Sequence, residues 1–160
     1  DLDLTMSEQE KEEYYQNPLT ALILMYLTFQ KYRKKPKLIA KALHLDSTVI
    51  DQEIRTLIKL NLVKEGDGLE VIKRSIHIDE SHKMHGRNLV NWRLESINYL
   101  QKGHKKEADW QFSTLFSTTE EKKRKIRDPF KNFVVEAQKM VGPEAPDTEV
   151  EVYHMNFDLY

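Results

Sequence analysis

The sequence predicts an α+β fold that is mainly helical and consists of two units. Apolar residues recur at helical spacing over most of the chain. The turn Gly66-Asp67-Gly68 lies between two short runs with strand character and indicates a β-hairpin. Residues 110–117 alternate apolar and polar side chains, as a strand does. These observations divide the chain into a helical extension at 1–16, a first unit at 17–73 and a second unit at 81–160.

Charge and cysteine content limit the possible classes of protein. The 160 residues include 25 basic and 26 acidic side chains, a net charge of −1, and no cysteine. Disulfides and thiolate metal sites are therefore excluded, and we expect a cytoplasmic protein. The longest apolar run, 21–27, is far shorter than the ~20 residues that a membrane-spanning helix needs. The acidic start has no signal-peptide pattern, and we expect the chain to be a piece of a longer protein.

The first two helices are predicted from their capping residues. Ser7 and Glu10 have the spacing of a capping box, which places a helix at about 7–16. Asn17 is suited to cap the next helix, because Pro18 then occupies the first helical position, where its missing N–H costs nothing. The apolar spacing carries this second helix to Phe29, before a polar run at 31–35.

Two further helices and the hairpin follow closely. A short helix at 37–44 is separated from a longer one at 48–60 by the turn Leu45-Asp46, with Ser47 as the expected N-cap. Asn61 is the expected stop, and the hairpin strands lie at 62–65 and 69–72. Three helices followed by a hairpin are the order of a winged helix-turn-helix. A three-helix bundle with a trailing hairpin is the alternative.

The second unit is predicted to be a small helix and antiparallel-strand unit. Ser81 is expected to cap a helix that continues to about Leu100. A strand at 110–117 precedes a helix at 120–141, which Thr118 or Thr119 caps and which Pro129 kinks or divides. A final strand at 149–160 is expected to pair with 110–117.

The exposed side of the 48–60 helix is the candidate DNA-binding surface. Glutamine and arginine are suited to base edges, while lysine and hydroxyl side chains are suited to phosphates. The candidates are Lys37, Lys41, Ser47, Thr48, Gln52, Arg55, Lys59 and Lys64. Residues 37–72 nevertheless hold five bases and six acids, among them Asp46, Asp51 and Glu53 at the approaching end. Because phosphate neutralisation supplies most non-specific affinity, we expect weak DNA binding by this unit.

Aromatic and histidine residues are the candidate ligand sites of the sequence. Trp92, Tyr99, Trp110 and Phe112 are candidates for a ligand pocket, and core packing is the favoured alternative. His77, His82 and His85 lack the further ligands that zinc requires, so surface histidines are the better interpretation. No catalytic motif is present. We therefore expect no enzyme activity, no cofactor and no metal.

The whole chain resembles a family of uncharacterised bacterial proteins that are classed as transcriptional regulators and share a large domain of unknown function. Glu13-Tyr14-Tyr15, the Leu60-x-Leu62-Val63 stretch and the terminal run 152–160 carry the resemblance. The resemblance implies an additional N-terminal segment resembling a repressor-type helix-turn-helix, and residues 1–160 contain no such segment. This chain also lacks the tryptophan expected near the tyrosine pair, and its predicted DNA-reading helix is acidic.

Two functions are therefore expected. The first is a transcriptional regulator that contacts DNA through the winged helix, as a homodimer, with the second unit serving dimerisation or effector binding. The second is an interaction or signalling module that uses the winged helix to bind a protein partner, in keeping with the acidic helix. A small-molecule effector site in the second unit is compatible with either.

Overall fold

The computed structural model describes residues 6–73, 78–103, 107, 109–141 and 152–159. Within them the fold is mainly helical with one small antiparallel sheet, which confirms the α+β class. The elements, in chain order, are α1 (Glu8–Gln16), α2 (Pro18–Leu27), α3 (Gln30–Lys34), α4 (Lys37–Leu43), α5 (Ser47–Lys59), β1 (Val63–Gly66), β2 (Gly68–Val71), α6 (His85–Gln101) and α7 (Glu120–Met140). None of the described helices is long and apolar enough to cross a membrane.

The first two helices begin at the predicted caps. Ser7 Oγ accepts a hydrogen bond from the Glu10 amide at 3.3 Å, and Glu10 Oε2 accepts from the Ser7 amide at 2.7 Å, which completes the capping box. Asn17 Oδ1 accepts from the Leu19 amide at 3.1 Å, with Pro18 at the first helical position. Each cap satisfies a backbone donor that would otherwise lack a partner.

The second helix ends earlier than its apolar spacing predicts. α2 stops at Leu27, and a separate short helix, α3, starts at Gln30. Thr28 donates its hydroxyl hydrogen to the Met25 carbonyl at 2.7 Å, a local bond that competes with helix continuation. The bend buries Tyr32, whose ring meets the edge of Tyr26 at 5.0 Å between centroids. The prediction of one helix to Phe29 is therefore wrong.

The turn between α4 and α5 contains a left-handed residue. His44 has φ 53°, and the following Leu45 amide donates to the Ala40 carbonyl at 3.0 Å, which ends α4. Asp46, rather than the predicted Ser47, is the N-cap of α5. Its Oδ1 accepts from the Thr48 amide and from the Thr48 hydroxyl, both at 2.8 Å. Ser47 is consequently the first residue of the helix.

The hairpin closes against the end of α5. Its register pairs Val63 with Val71 and Gly66 with Gly68. The Leu62 carbonyl accepts from the Ile72 amide at 2.9 Å, so pairing continues one step toward α5. Gly68 has φ 104°, a conformation that side chains with a Cβ rarely adopt.

In the described part of the chain, the buried residues of the hydrophobic core lie between Met6 and Val63, and Ile78, Met84 and Val152 pack against them partly buried. Its fully buried apolar side chains come from α2, α4, α5 and the start of the hairpin: Ile23, Leu24, Leu27, Ile39, Ile50, Leu57, Leu62 and Val63. α1 adds Tyr14 and Tyr15, whose rings meet edge to face. In contrast, neither α6 nor α7 contributes a buried residue.

Two features of the second half differ from the prediction: the residue at which α6 begins and the continuity of α7 through Pro129. α6 begins at His85, not after Ser81, because the Ser81 amide and hydroxyl both donate to Asp79 Oδ1, at 2.8 and 2.6 Å. α7 is a single helix with Pro129 inside it, so the proline does not divide it. The predicted cap is present: Thr119 Oγ1 accepts from the Lys122 amide at 3.4 Å.

The predicted strands of the second half are absent from the described residues. Residues 110–117 and 152–159 form no strand, and the sheet of the described chain holds only β1 and β2. Leu115 is fully exposed and Trp110 is 82% exposed, so none of the described segments covers these two side chains. Alternation favours a strand only where a neighbour completes the hydrogen-bond ladder and one face is buried. Residues 149–151 and 160 lie outside the described residues.

The segment 152–159 lies instead along α6. Asn156 Nδ2 donates to Ser96 Oγ at 2.7 Å, and the guanidinium of Arg93 pairs with Asp158. Phe157 stacks on Phe130 of α7 at 3.6 Å between ring centroids. The segment therefore joins the two long helices.

Candidate functional site

The candidate surface is the exposed face of α5, and the opposite face of the same helix packs on the core. The side facing the core buries Ile50, Glu53, Ile54 and Leu57. The opposite side exposes Thr48, Asp51, Gln52, Arg55 and Lys59 to solvent. The predicted amphipathic character of this helix is confirmed, and its polar side is available for contacts outside the molecule.

A buried carboxylate on the inner face was missed by the sequence analysis. Glu53 is 8% exposed; its Oε1 accepts from Asn17 Nδ2 at 2.7 Å and its Oε2 accepts from the Thr20 hydroxyl at 2.6 Å. The prediction that Glu53 lies on the exposed acidic face of the helix, with Asp46 and Asp51, is therefore wrong. Glu53 lies three residues after Ile50 and beside Ile54, and this spacing already places it on the apolar side.

Three of the predicted residues meet at the turn between α4 and α5. A shallow, open depression there is lined by Lys37, Ala40, Lys41, His44, Leu45, Asp46 and Ser47. Lys37 and Lys41 lie one helical turn apart, and Ser47 faces them from the start of α5. The left-handed His44 lets the chain reverse at this point. Two ammonium groups and a hydroxyl therefore surround one small surface.

Three other predicted residues already have partners within the molecule. Lys59 Nζ lies 2.8 Å from both carboxylate oxygens of Glu13, on α1. Lys64 Nζ lies 3.0 Å from Glu70 across the hairpin. The Thr48 hydroxyl is held by Asp46. These contacts reduce the positive charge that α5 and the hairpin offer to an external anion.

Four of the eight predicted residues are exposed and make no ion pair with the described residues. They are the two lysines of the depression, Lys37 and Lys41, together with Gln52 and Arg55. Gln52 and Arg55 are three residues apart on the outer face of α5, while the two lysines lie at the depression. These four side chains form the part of the surface that can engage an external ligand without first breaking an ion pair.

The rim of the depression carries a fixed negative charge. Hydrogen bonds from the Thr48 amide and, next, from the Thr48 hydroxyl hold the pKa of Asp46 below its usual value. Its carboxylate therefore stays ionised well below neutral pH. Asp51, which does not line the depression, adds a second exposed acid on α5. The surface is consequently mixed in charge.

The four aromatic residues predicted to line a pocket occupy separate settings. Trp92 packs against the His154 ring at 4.5 Å between centroids. The Tyr99 hydroxyl donates to Asp109 Oδ2 at 2.5 Å. Trp110 and Phe112 stack on each other at 5.7 Å and remain 82% and 71% exposed. Among the described ring contacts, Trp110 therefore stacks with Phe112, while Trp92 and Tyr99 contact other residues.

Of the three histidines weighed as zinc ligands, His82 and His85 are described, and the buried Nδ1 of His85 has no hydrogen-bond partner among the described residues. His82 Nδ1 accepts from the Met84 amide at 3.1 Å, and its Nε2 lies 3.0 Å from Glu8. His77 lies outside the described residues. Over the described ranges, no group of three or more histidine or carboxylate side chains is arranged to hold a metal ion.

Together these features define a mainly helical α+β module with a mixed-charge helical surface. The chain belongs to the family described as Domain of unknown function (DUF4423), whose model matches residues 3–160. No curated protein and no solved structure matches it. The family match confirms that part of the sequence-based resemblance which concerns a large domain of unknown function. The regulatory role that the resemblance implies stays a prediction.

Proposed function

We propose that residues 17–73 are a winged helix-turn-helix module that binds DNA in a cytoplasmic bacterial transcriptional regulator. The element order supports this proposal, because α2, α4 and α5 precede an antiparallel hairpin. In this interpretation α4 and α5 form the helix-turn-helix, α5 enters the major groove, and β1 and β2 form the wing.

The observation that carries the proposal is the exposed side of α5 beside the α4–α5 turn. Gln52 and Arg55 project from that side, and both side chains have donor groups suited to base edges. Lys37 and Lys41 lie at the depression next to it, where phosphate contacts are expected. The buried face of the same helix holds it rigidly against the core.

The charge balance indicates that DNA binding by this surface is weak. With Glu53 buried, the exposed charges of residues 37–72 are five bases and five acids. Two of the bases, Lys59 and Lys64, are paired with carboxylates. Each module therefore neutralises few phosphates, and the slope of log K against log salt is expected to be shallow.

The test is fluorescence anisotropy with mixed-sequence duplex DNA at low and moderate salt. The double variant Lys37→Glu/Lys41→Glu should lower the affinity by about tenfold or more and reduce the slope of log K against log salt by about two. Lys102→Glu is the matched control, since Lys102 is an exposed lysine at the end of α6. Equal losses in the control, or no DNA binding at low salt by the unchanged protein, would contradict the proposal.

A second candidate function is the binding of a protein partner by the same surface. The ion pairs of Lys59 and Lys64 and the exposed Asp46 and Asp51 favour it, because they weaken attraction for a polyanion. Under this alternative the unchanged protein binds no duplex DNA at low salt, and Arg55→Glu has no effect in the anisotropy measurement. A partner of basic character is then expected to be sensitive to Asp51→Lys.

A further inference from the structure

The irregular segment between α6 and α7 exposes two stacked aromatic rings. The ring centroids of Trp110 and Phe112 are 5.7 Å apart, and the two planes are within 4° of parallel. Trp110 is 82% exposed and Phe112 71% exposed, so most of each ring is in water. We call these two residues the aromatic pair. The Tyr99 hydroxyl donates to Asp109 at 2.5 Å, which ties the residue before the pair to α6.

Packing within the described chain does not account for the aromatic pair. Aromatic side chains stabilise a fold through the large area that they bury, and these two rings bury little. Their parallel arrangement instead presents flat π-surfaces to the solvent. Such surfaces are the sites on which unstacked nucleobases lie in proteins that bind single strands.

The helix that follows the aromatic pair has an excess of positive charge. α7 holds seven bases and four acids, although the net charge of the whole chain is −1. Four of the bases pair with acids of the same helix; they are Lys123, Lys125, Arg127 and Lys139. The other three make no ion pair with the described residues; they are Lys122, Arg124 and Lys131. α7 therefore attracts anions.

Three exposed cations lie along one side of α7. Arg124, Arg127 and Lys131 have the spacing i, i+3, i+7, which at 100° per residue places them within an arc of about 60°. We call them the basic row. Its two ends are about 10 Å apart along the helix axis, at 1.5 Å per residue. The exposed pair of Arg127 with the adjacent Asp128, at 3.2 Å, is weak and leaves this cation available to a phosphate.

We propose that the aromatic pair and the basic row bind single-stranded nucleic acid. Bases stack on Trp110 and Phe112, and the basic row contacts the phosphates of the same strand. α7 starts eight residues after Phe112, so the two features are at most about 28 Å apart. A strand of several nucleotides covers that distance, in keeping with the about 4–16 nucleotides that small single-strand sites take. This binding does not depend on the α5 surface.

Charge selects a polyanion, and the aromatic pair selects a single strand among polyanions. The bases of a duplex are stacked on one another and are not free to stack on Trp110 or Phe112. Base-free polyanions and anionic membranes offer charge but no base. The experiments therefore separate the contribution of charge from that of stacking.

The contribution of the basic row is measured by fluorescence anisotropy with an oligothymidylate and an oligouridylate of ~15 nucleotides. The unchanged protein should bind at least one of them at low salt. Arg124→Gln/Lys131→Gln should reduce the slope of log K against log salt by about 1.4, at about 0.7 for each cation on a single strand. Lys125→Gln/Lys139→Gln removes the same charge from another side of α7 and should leave the slope unchanged. Equal changes in the two variants, or no binding by the unchanged protein, would overturn the proposal.

The contribution of the aromatic pair is measured with the same strands. Trp110→Ala should lower the affinity about 5- to 100-fold, the loss of one stacked base. Leu115→Ala is the matched control, because Leu115 is fully exposed in the same segment but has no π-face. Lys37→Glu/Lys41→Glu should not change this affinity, which separates the site from the α5 surface. An equal loss in the Leu115 variant would show that the rings do not stack on bases.

Tryptophan fluorescence reports stacking directly. The chain has two tryptophans, so Trp92→Phe leaves Trp110 as the single reporter. In that variant the oligothymidylate or oligouridylate that binds should quench Trp110, whereas heparin, anionic vesicles and a duplex of the same length should not. Quenching of the same size by heparin, by the vesicles or by the duplex would overturn the proposal, because none of them presents an unstacked base.

Discussion

The Glu53 carboxylate accepts a hydrogen bond from the side-chain amide of Asn17, at 2.7 Å, while the Asn17 oxygen caps α2 through the Leu19 amide. One residue thus links the start of α2 to the middle of α5. The second Glu53 oxygen accepts from the Thr20 hydroxyl, one turn into α2. The angle at which α5 presents its outer face therefore depends on a buried polar contact as well as on apolar packing.

Removing this carboxylate should destabilise the protein strongly. Glu53→Ala leaves the Asn17 amide and the Thr20 hydroxyl without their acceptor, and should lower the free energy of unfolding by about 2–4 kcal/mol. Glu53→Gln keeps one acceptor oxygen and should cost less. Urea unfolding followed by far-UV circular dichroism measures both. Glu65→Ala, on the exposed strand β1, is the control. Equal effects at the two positions would refute the role of the buried network.

Gly68 should be intolerant of a side chain. Its φ of +104° is strained for any residue with a Cβ, so Gly68→Ala should cost about 1–2 kcal/mol although its nearest neighbour, the Arg33 carbonyl oxygen, is 3.6 Å away. Gly66→Ala in the same hairpin is the control, because Gly66 has no positive φ and its added Cβ is 3.9 Å from the nearest atom. Thermal unfolding compares the two. A Gly66 variant that is as unstable as the Gly68 variant would exclude backbone strain as the cause.

If the α5 surface binds DNA, Glu13 should weaken that binding. Its carboxylate forms an ion pair with Lys59, with 2.8 Å between Glu13 Oε1 and Lys59 Nζ. Glu13→Gln therefore frees one ammonium group to contact phosphate. The affinity for duplex DNA at low salt should rise about two- to threefold. Glu12→Gln removes the same charge from α1 but releases Lys83 instead. A similar rise in both variants would show that net charge, rather than the Lys59 contact, controls affinity.

His154 should titrate at lower pH than an ordinary histidine. The Trp92 ring covers part of the otherwise exposed His154 imidazole, and the resulting partial loss of hydration, followed by the positive charge of Arg93, lowers the pKa of His154 below its usual 6.5. The unfolded chain therefore binds a proton that the folded protein does not, between the folded pKa and about 6.5. The stability contributed by this residue is complete above about pH 6.5 and is lost as pH falls below that value.

The measurement for His154 is an NMR titration of its imidazole protons. A pKa at or above 6.5 would show that the ring does not pack on Trp92 as described. His154→Phe retains an aromatic ring against Trp92 but cannot titrate. In that variant the dependence of stability on pH between 5 and 6.5 should become smaller.

The local features of the fold were accessible from the sequence because each depends on a few adjacent residues. The Ser7–Glu10 capping box and the Asn17-Pro18 start need no information from elsewhere in the chain. The same is true of the Gly66-Asp67-Gly68 turn. Boundaries that depend on competing short-range hydrogen bonds were less accessible. Asp46, and not Ser47, is the N-cap of α5. The hydrogen bond from the Thr28 hydroxyl to the Met25 carbonyl accompanies the early end of α2.

The second half shows where pattern alone is insufficient. The alternation at 110–117 predicts a strand, but a strand requires a partner that the described residues do not provide. The α6 apolar residues predict a buried face, yet the buried core residues of the described chain lie between Met6 and Val63, and Leu89, Val90, Leu94, Ile97 and Leu100 of α6 remain exposed. Hydrophobic spacing identifies a face, and the rest of the molecule decides what covers it.

The sequence by itself determined which segments are helical, where the hairpin turns, and which side of α5 is apolar, because capping, glycine conformation and helical spacing act over a few residues. Only the tertiary structure decided that Glu53 is buried between Asn17 and Thr20 and that Lys59 is paired with Glu13. It alone also decided that the apolar residues Leu89, Val90, Leu94, Ile97 and Leu100 of α6 are exposed. These outcomes depend on residues separated by more than thirty positions or on the burial of a whole face, and local spacing carries no information about such separations.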